Sequence, residues 1–188
     1  MRFIRWCLGI VCITVLGIPA LSNAFDAELG LGKIDEAIEY GKKHKGGDIF
    51  DSNIVKAACF GEYPKGEGGL IMSKYIEIAI VSAMKAAQDK PITPDEDVRS
   101  IVDSITFNVV VDIAQKIEDP GDVQIVLQQE ENNILPLKTE FGMKHRAARQ
   151  DVVGVFEYDR VDPNASTTIL IKFEDTQKKY KINFSHVK

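Results

Sequence analysis

The order of hydrophobic patterns along the chain describes an α+β protein: two to three N-terminal helices, then an antiparallel β meander or sandwich of about five to six strands. Apolar residues recur at helical spacing before residue 104 and alternate every second residue after it. Turn residues then return at intervals of about 8 to 15 positions, the spacing of short paired strands. A composition of 45% hydrophobic and 27% charged residues supports a packed core and excludes collagen-like, low-complexity and wholly disordered chains.

The first segment differs from everything after it. Arg2 and Arg5 lead into an uncharged apolar run from Trp6 to Leu21, followed by Ser22-Asn23-Ala24, small residues of the kind read by a signal peptidase. Residues 1–24 are therefore expected to be a signal peptide, cut between Ala24 and Phe25. Retention as a membrane anchor is the alternative. Against it, the run is 16 residues long, short of the roughly 20 that span a hydrocarbon core, and contains Gly17 and Pro19. Ile10-Val11-Cys12 lacks the small residue that lipoprotein processing requires before cysteine, which favours soluble export, periplasmic or secreted.

Residues 25–103 form the expected helical region. Leu31, Ile34, Ile38 and Gly41 share one helix face while Lys33, Asp35, Glu36 and Glu39 occupy the other. Lys42 to Lys45 complement the negative end of this helix, and Gly46-Gly47 stops it. A second helix is expected from Leu70 to Gln88, with an apolar stripe wide enough to be buried on more than one side. A short third begins at Thr93-Pro94-Asp95-Glu96, where Thr93 caps, Pro94 suits the first turn and Glu96 completes a capping box.

Residues 104–188 form the β-rich region, packed with the helices as one domain. Ile105 to Ile113 alternate as a strand with one buried face, and Val123, Ile125 and Leu127 form a second that can pair with it as a hairpin. Leu135 to Phe141 give a third, confined by Pro136 to an edge or a bulge. Val152–Tyr158, Thr167–Phe173 and Lys178–Phe184 supply three more, and the last two pair across Glu174-Asp175-Thr176-Gln177.

Charge and cysteine content narrow the function. Loss of residues 1–24 removes Arg2 and Arg5 from the 23 basic residues, leaving 21 against 28 acidic ones and a net charge of −7. That balance argues against nucleic acid as a partner. Cys7 and Cys12 leave with the signal peptide, so Cys59 is the only thiol of the mature chain and packing must supply its stability. Its neighbours Ala57, Ala58 and Phe60 make Cys59 read as a small core residue rather than a reactive thiol.

Catalytic, metal and cofactor signatures are absent, and His44, His145 and His186 stand far apart. Two interaction features remain. Gly66, Gly68 and Gly69 precede the second helix, where free backbone N–H groups could hold an anion with help from Lys74, although Ile71 occupies the place of the third glycine of a dinucleotide motif. Lys144, His145, Arg146 and Arg149 form a basic loop that could dock an acidic partner or stay a solvated connection. The expected function is a binding or interaction module that meets a protein partner through a sheet edge or the basic loop, without cofactor and off the membrane once cut. A small hydrolase whose site assembles only in the fold and a structural or assembly subunit are the alternatives. A pocket deeper than the surface, lined by converging polar groups with one histidine or carboxylate, would mark the enzyme; an exposed strand edge or apolar patch without a cleft would mark the binder.

Overall fold

The computed structural model describes residues 25–142 and 150–188. Its helices are α1 (Leu31–Lys43), α2 (Asn53–Ala58), α3 (Lys74–Ala87) and α4 (Arg99–Val102). Its strands are β1 (Cys59–Gly61), β2 (Gly68–Met72), β3 (Thr106–Ile113), β4 (Gln124–Gln129), β5 (Asn132–Ile134), β6 (Lys138–Phe141), β7 (Gln150–Glu157), β8 (Thr167–Phe173) and β9 (Thr176–Ile182). They build two antiparallel sheets, one ordered β1-β2-β3-β7-β6 and the other β5-β4-β8-β9. The protein is therefore α+β, but β1 and β2 interrupt the helical region that was expected to hold helices alone.

The Leu70–Gln88 helix requires correction at its start. Leu70 to Met72 belong to β2, and the helix begins only after Ser73, whose Oγ accepts from the Ile76 N–H at 3.3 Å. Ser73 is a better cap than any residue before Leu70, and its extended backbone sets the entry. The strand exists because Gly68 and Gly69 let neighbouring chains come close: a Cβ on Gly69 would strike the Val110 carbonyl and the Phe60 ring. Leu70 and Ile71 are buried on opposite faces of β2, and such a continuous apolar run carries no period that separates strand from helix.

The expected hairpin of the first two strands also gives way. β3 pairs with β2 and β7, whereas β4 pairs with β5 and β8 in the other sheet. The connection at 114–123 carries the chain between sheets, with Ile117 and Val123 buried in the core. The third helix starts differently as well: the Asp97 carboxylate, not that of Glu96, accepts from the Thr93 N–H, at 2.9 Å. A short π-helical turn at Pro94–Val98 shifts the carboxylate by one residue relative to an ordinary capping box.

Other elements follow their patterns. β6 is an edge strand beginning two residues after Pro136. β8 and β9 form the final hairpin with Ile169 opposite Tyr180. One core draws on both sheets: Phe107, Val109, Val111, Val152 and Phe156 come from the first, and Ile125, Leu127, Ile169 and Ile171 from the second. At Gly154 a Cβ would meet the Ile125 side chain at 3.3 Å and the Phe156 ring at 2.9 Å, so the absence of a side chain there sets how closely the sheets approach. Each of these large apolar residues contributes about 1.5–3 kcal/mol by leaving water.

α3 is buried on two sides, as its broad stripe predicts. Ile76, Ala79, Ile80 and Ala83 join the main core, while Tyr75 and Ile78 meet Ala37 and Ile38 of α1 and Ile101 of α4 in a second cluster. Phe25 closes the main core at the N-terminal end, its ring 4.8 Å from Phe107, 4.4 Å from Phe184 and 5.0 Å from Tyr158.

Candidate functional site: a cleft on the outer face of the five-stranded sheet

The sequence-derived candidates do not converge. Lys144, His145, Arg146 and Arg149, and Ala24 of the expected cleavage site, lie outside the described residues. Gly68 and Gly69 are held between β1 and β3 rather than at a helix start, and Gly66 sits in the turn against Glu62. Lys74 turns away from them. Its ammonium donates to the Val102 carbonyl at 2.6 Å and to the Ala27 carbonyl, and lies 5.7 Å from the Tyr158 ring centroid. Burial lowers its pKa, since desolvation penalises the charged form. Lys74 is thus a tie between the chain before α1 and the end of α4, and the geometry required for an anion loop is replaced by a sheet.

The histidines and the thiol are also placed structurally. The His44 ring stacks on Tyr40 at 4.3 Å with Nδ1 2.9 Å from the Tyr40 carbonyl, closing α1, and His186 is exposed in the 3-10 turn Phe184–His186. Cys59 is half-buried and its thiol is pushed up to about 11 by desolvation, which leaves little thiolate near neutrality. Among the described residues no group of three or more His, Cys, Asp or Glu side chains is arranged to hold a metal ion.

A different site emerges from the register of the first sheet. Odd-numbered residues of β3 from Phe107 to Val111 face the second sheet, so Asn108, Val110 and Asp112 face outward. Their partners bring Met72, Leu70, Val153 and Asp151 to that same face, and β6 adds Glu140 opposite Val153. Ile80 of α3, Phe50 of the 3-10 turn Gly46–Asp51, Tyr63 and Phe141 rise around it. They enclose a cleft of about 350 Å³. Its walls are chiefly apolar, with Tyr63, Asn108, Glu140 and Asp151 as the polar points.

Its electrostatics are set by burial. Asp112 and Asp151 stand directly opposite each other across β3 and β7, 8% and 4% exposed. Like charges so placed oppose pairing unless other groups compensate, and both carboxylates have interactions of their own. The Tyr63 hydroxyl is pushed well above the usual phenol range, first by desolvation and then by Asp151, Cys59 and Asp112. It stays protonated and able to donate a hydrogen bond. Glu140 at the rim pairs with Lys138 at 2.6 Å. The arrangement can enclose a small apolar body and orient it through a few polar contacts.

Sequence reasoning assigned Asp112 to a solvated strand face and passed over Asp151. A signal was present: the adjacent apolar residues Val109-Val110-Val111 and Val152-Val153 mark strands buried on both faces, so a carboxylate continuing either run enters an enclosed surface. No family model, curated protein or solved structure matches this chain.

Proposed function

We propose that this chain is an exported, soluble binding module whose cleft between β6, α3 and the outer face of the five-stranded sheet takes a small, largely apolar ligand. The observation that carries the reading is the cleft itself. Its 350 Å³ falls within the range of small-molecule sites, and its mixture of apolar walls and few polar points is the usual composition of such sites. In this reading the two sheets act as a sandwich that forms the rigid floor, and the cleft rather than the basic loop is the contact surface.

Export rests on the charged, apolar and small-residue order of residues 1–24. Two facts of the fold agree with it. The Phe25 ring is packed in the core, so a cut after Ala24 leaves the packed residues intact. No helix among the described residues is long and apolar enough to cross a membrane.

A hydrolase is the second reading, favoured by the mark set for an enzyme, a pocket that holds carboxylates: Glu140 and Asp151 line the cleft, and Asp151 stands in register with Asp112. The two readings separate in one experiment. Titration with the apolar fluorophore N-phenyl-1-naphthylamine is expected to saturate at one probe per chain, and Val153→Trp, which fills the cleft, to weaken it by roughly tenfold or more. Unsaturable binding, or equal binding by a folded Val153→Trp protein, refutes the cleft as a ligand site. Turnover of an ester panel that disappears in Asp151→Asn would replace the binder with the enzyme. Edman sequencing of protein from the extracellular or periplasmic fraction is expected to begin at Phe25.

A further inference from the structure

The two sheets present four edge strands, and their charges differ in a way that selects a partner. β9 carries Lys178, Lys179 and Lys181 with no acidic residue in the strand, a pattern that repels a second copy of itself. β1 lies beside β9, and β5 is only 3 residues long. β6 is different. It reads Lys138-Thr139-Glu140-Phe141, preceded by Leu135 and Leu137, and it combines exposed apolar side chains with charges of both signs. Leu135, Leu137 and Phe141 are 57%, 55% and 40% exposed, and Lys138 and Glu140 are exposed beside them, with the turn at Pro120–Asp122 nearby.

The backbone of β6 is oriented for pairing. The Gly142 N–H donates to the Asp151 carbonyl at 2.8 Å. By the alternation of an antiparallel ladder, Lys138 and Glu140 turn their N–H and C=O groups toward β7, and Thr139 and Phe141 turn theirs away from it; the alternation stops at Leu137, whose N–H also donates to β7, to the Val155 carbonyl at 2.8 Å. A second strand docking there in antiparallel sense must therefore set odd-numbered residues against odd-numbered residues.

We infer that β6 is a self-complementary edge through which two copies of this chain associate about a two-fold axis at Thr139, joining their five-stranded sheets into one. In that register Lys138 and Glu140, which pair with each other within one chain at 2.6 Å, also stand opposite Glu140 and Lys138 of the second copy. The neighbouring registers fail on charge: an axis at Glu140 sets Glu140 against Glu140, and an axis at Lys138 sets Lys138 against Lys138. Opposite charges and apolar pairs directly across strands stabilise a ladder, whereas like charges there oppose it. The interface is isologous, so it closes at two copies. The lysine that would blunt an isolated edge becomes the complementary group, and the edge shares Glu140 and Phe141 with the cleft.

Sedimentation velocity over a concentration series tests it, using the protein recovered from its expressing cells. The unsubstituted chain is expected to run as a monomer–dimer equilibrium. Lys138→Glu and Glu140→Lys each replace two attractive facing pairs with repulsive ones and are expected to raise the dissociation constant by roughly tenfold or more. The combined Lys138→Glu/Glu140→Lys chain restores every facing pair and is expected to return within about threefold of the original value. Loss of folding cannot imitate that restoration, and circular dichroism checks each variant. A chain that stays monomeric at its highest soluble concentration overturns the inference. So does a charge-swapped double variant that dissociates as readily as the singles.

Discussion

Gly41 offers a test in which two physical effects point in opposite directions. It lies inside α1, where glycine costs about 0.5–1 kcal/mol relative to alanine, so propensity alone says that Gly41→Ala stabilises. The packing says otherwise. A Cβ at residue 41 would lie closer than 3.0 Å to the Ala79 carbonyl oxygen, 2.6 Å from the Ser82 Cβ and 3.0 Å from the Ala83 N. Two of these are backbone atoms of α3, which cannot swing aside as a side chain can, so α1 must move off α3. Overpacking of this kind costs about 1–3 kcal/mol, and after the propensity gain the net loss is about 1–2 kcal/mol. For a chain of this size that lowers Tm by about 2–8 °C. Gly32, in the same helix, has nothing within 4 Å of its added Cβ. Gly32→Ala is expected to gain up to about 0.5–1 kcal/mol. Urea unfolding followed by far-UV circular dichroism measures both. A Gly41→Ala protein as stable as Gly32→Ala would mean that the α1–α3 contact is not the tight crossing described.

Two further substitutions probe how the ends of the chain are fastened. The Tyr158 hydroxyl accepts from the Lys74 N–H at 2.9 Å, satisfying one of the free donors that begin α3. Tyr158→Phe leaves that buried N–H without its acceptor and is expected to cost about 1–2 kcal/mol in thermal or urea melts; an unchanged midpoint would contradict the role. Glu36 accepts from Lys188, Lys33 and Tyr75, in that order of influence, and its carboxyl is held at about 2 instead of the ordinary 4.5. A depressed carboxyl stabilises the fold above its unfolded pKa and loses that contribution as pH falls from about 4.5 toward 2. The stability gap between the unsubstituted protein and Glu36→Gln is expected to be open near neutrality, to be small because Glu36 is solvent-exposed, and to close on acidification through that window. A gap that widens with acid would refute the assignment.

The strands most visible in the sequence were those with one wet face. β8 and β9 alternate cleanly and pair as expected, although the turn is only Glu174-Asp175, with Thr176 and Gln177 already in β9, and α1 has a face and a basic end within its own residues. β2 was concealed for the opposite reason. With Leu70 and Ile71 covered on both faces, its pattern is a run of apolar residues that continues into α3, and only the glycines before it and Ser73 after it mark its limits. The cleft was less legible still. Asp112 and Asp151 are separated by 39 positions in the chain, and they meet only because β3 and β7 pair in one particular register.

By itself the sequence determined the α+β character, the body of α1 and α3, the final hairpin, the restriction of β6 to an edge or a bulge and the charge pattern that sets β6 apart from β9. These depend on periodicity, caps and turns, which act over a few residues. The division of strands between two sheets, the Asp112–Asp151 pairing and the apolar cleft were decided by the tertiary structure alone. Strand partners are chosen by how much apolar surface a whole arrangement buries, and that quantity is defined only when segments distant along the chain are brought together.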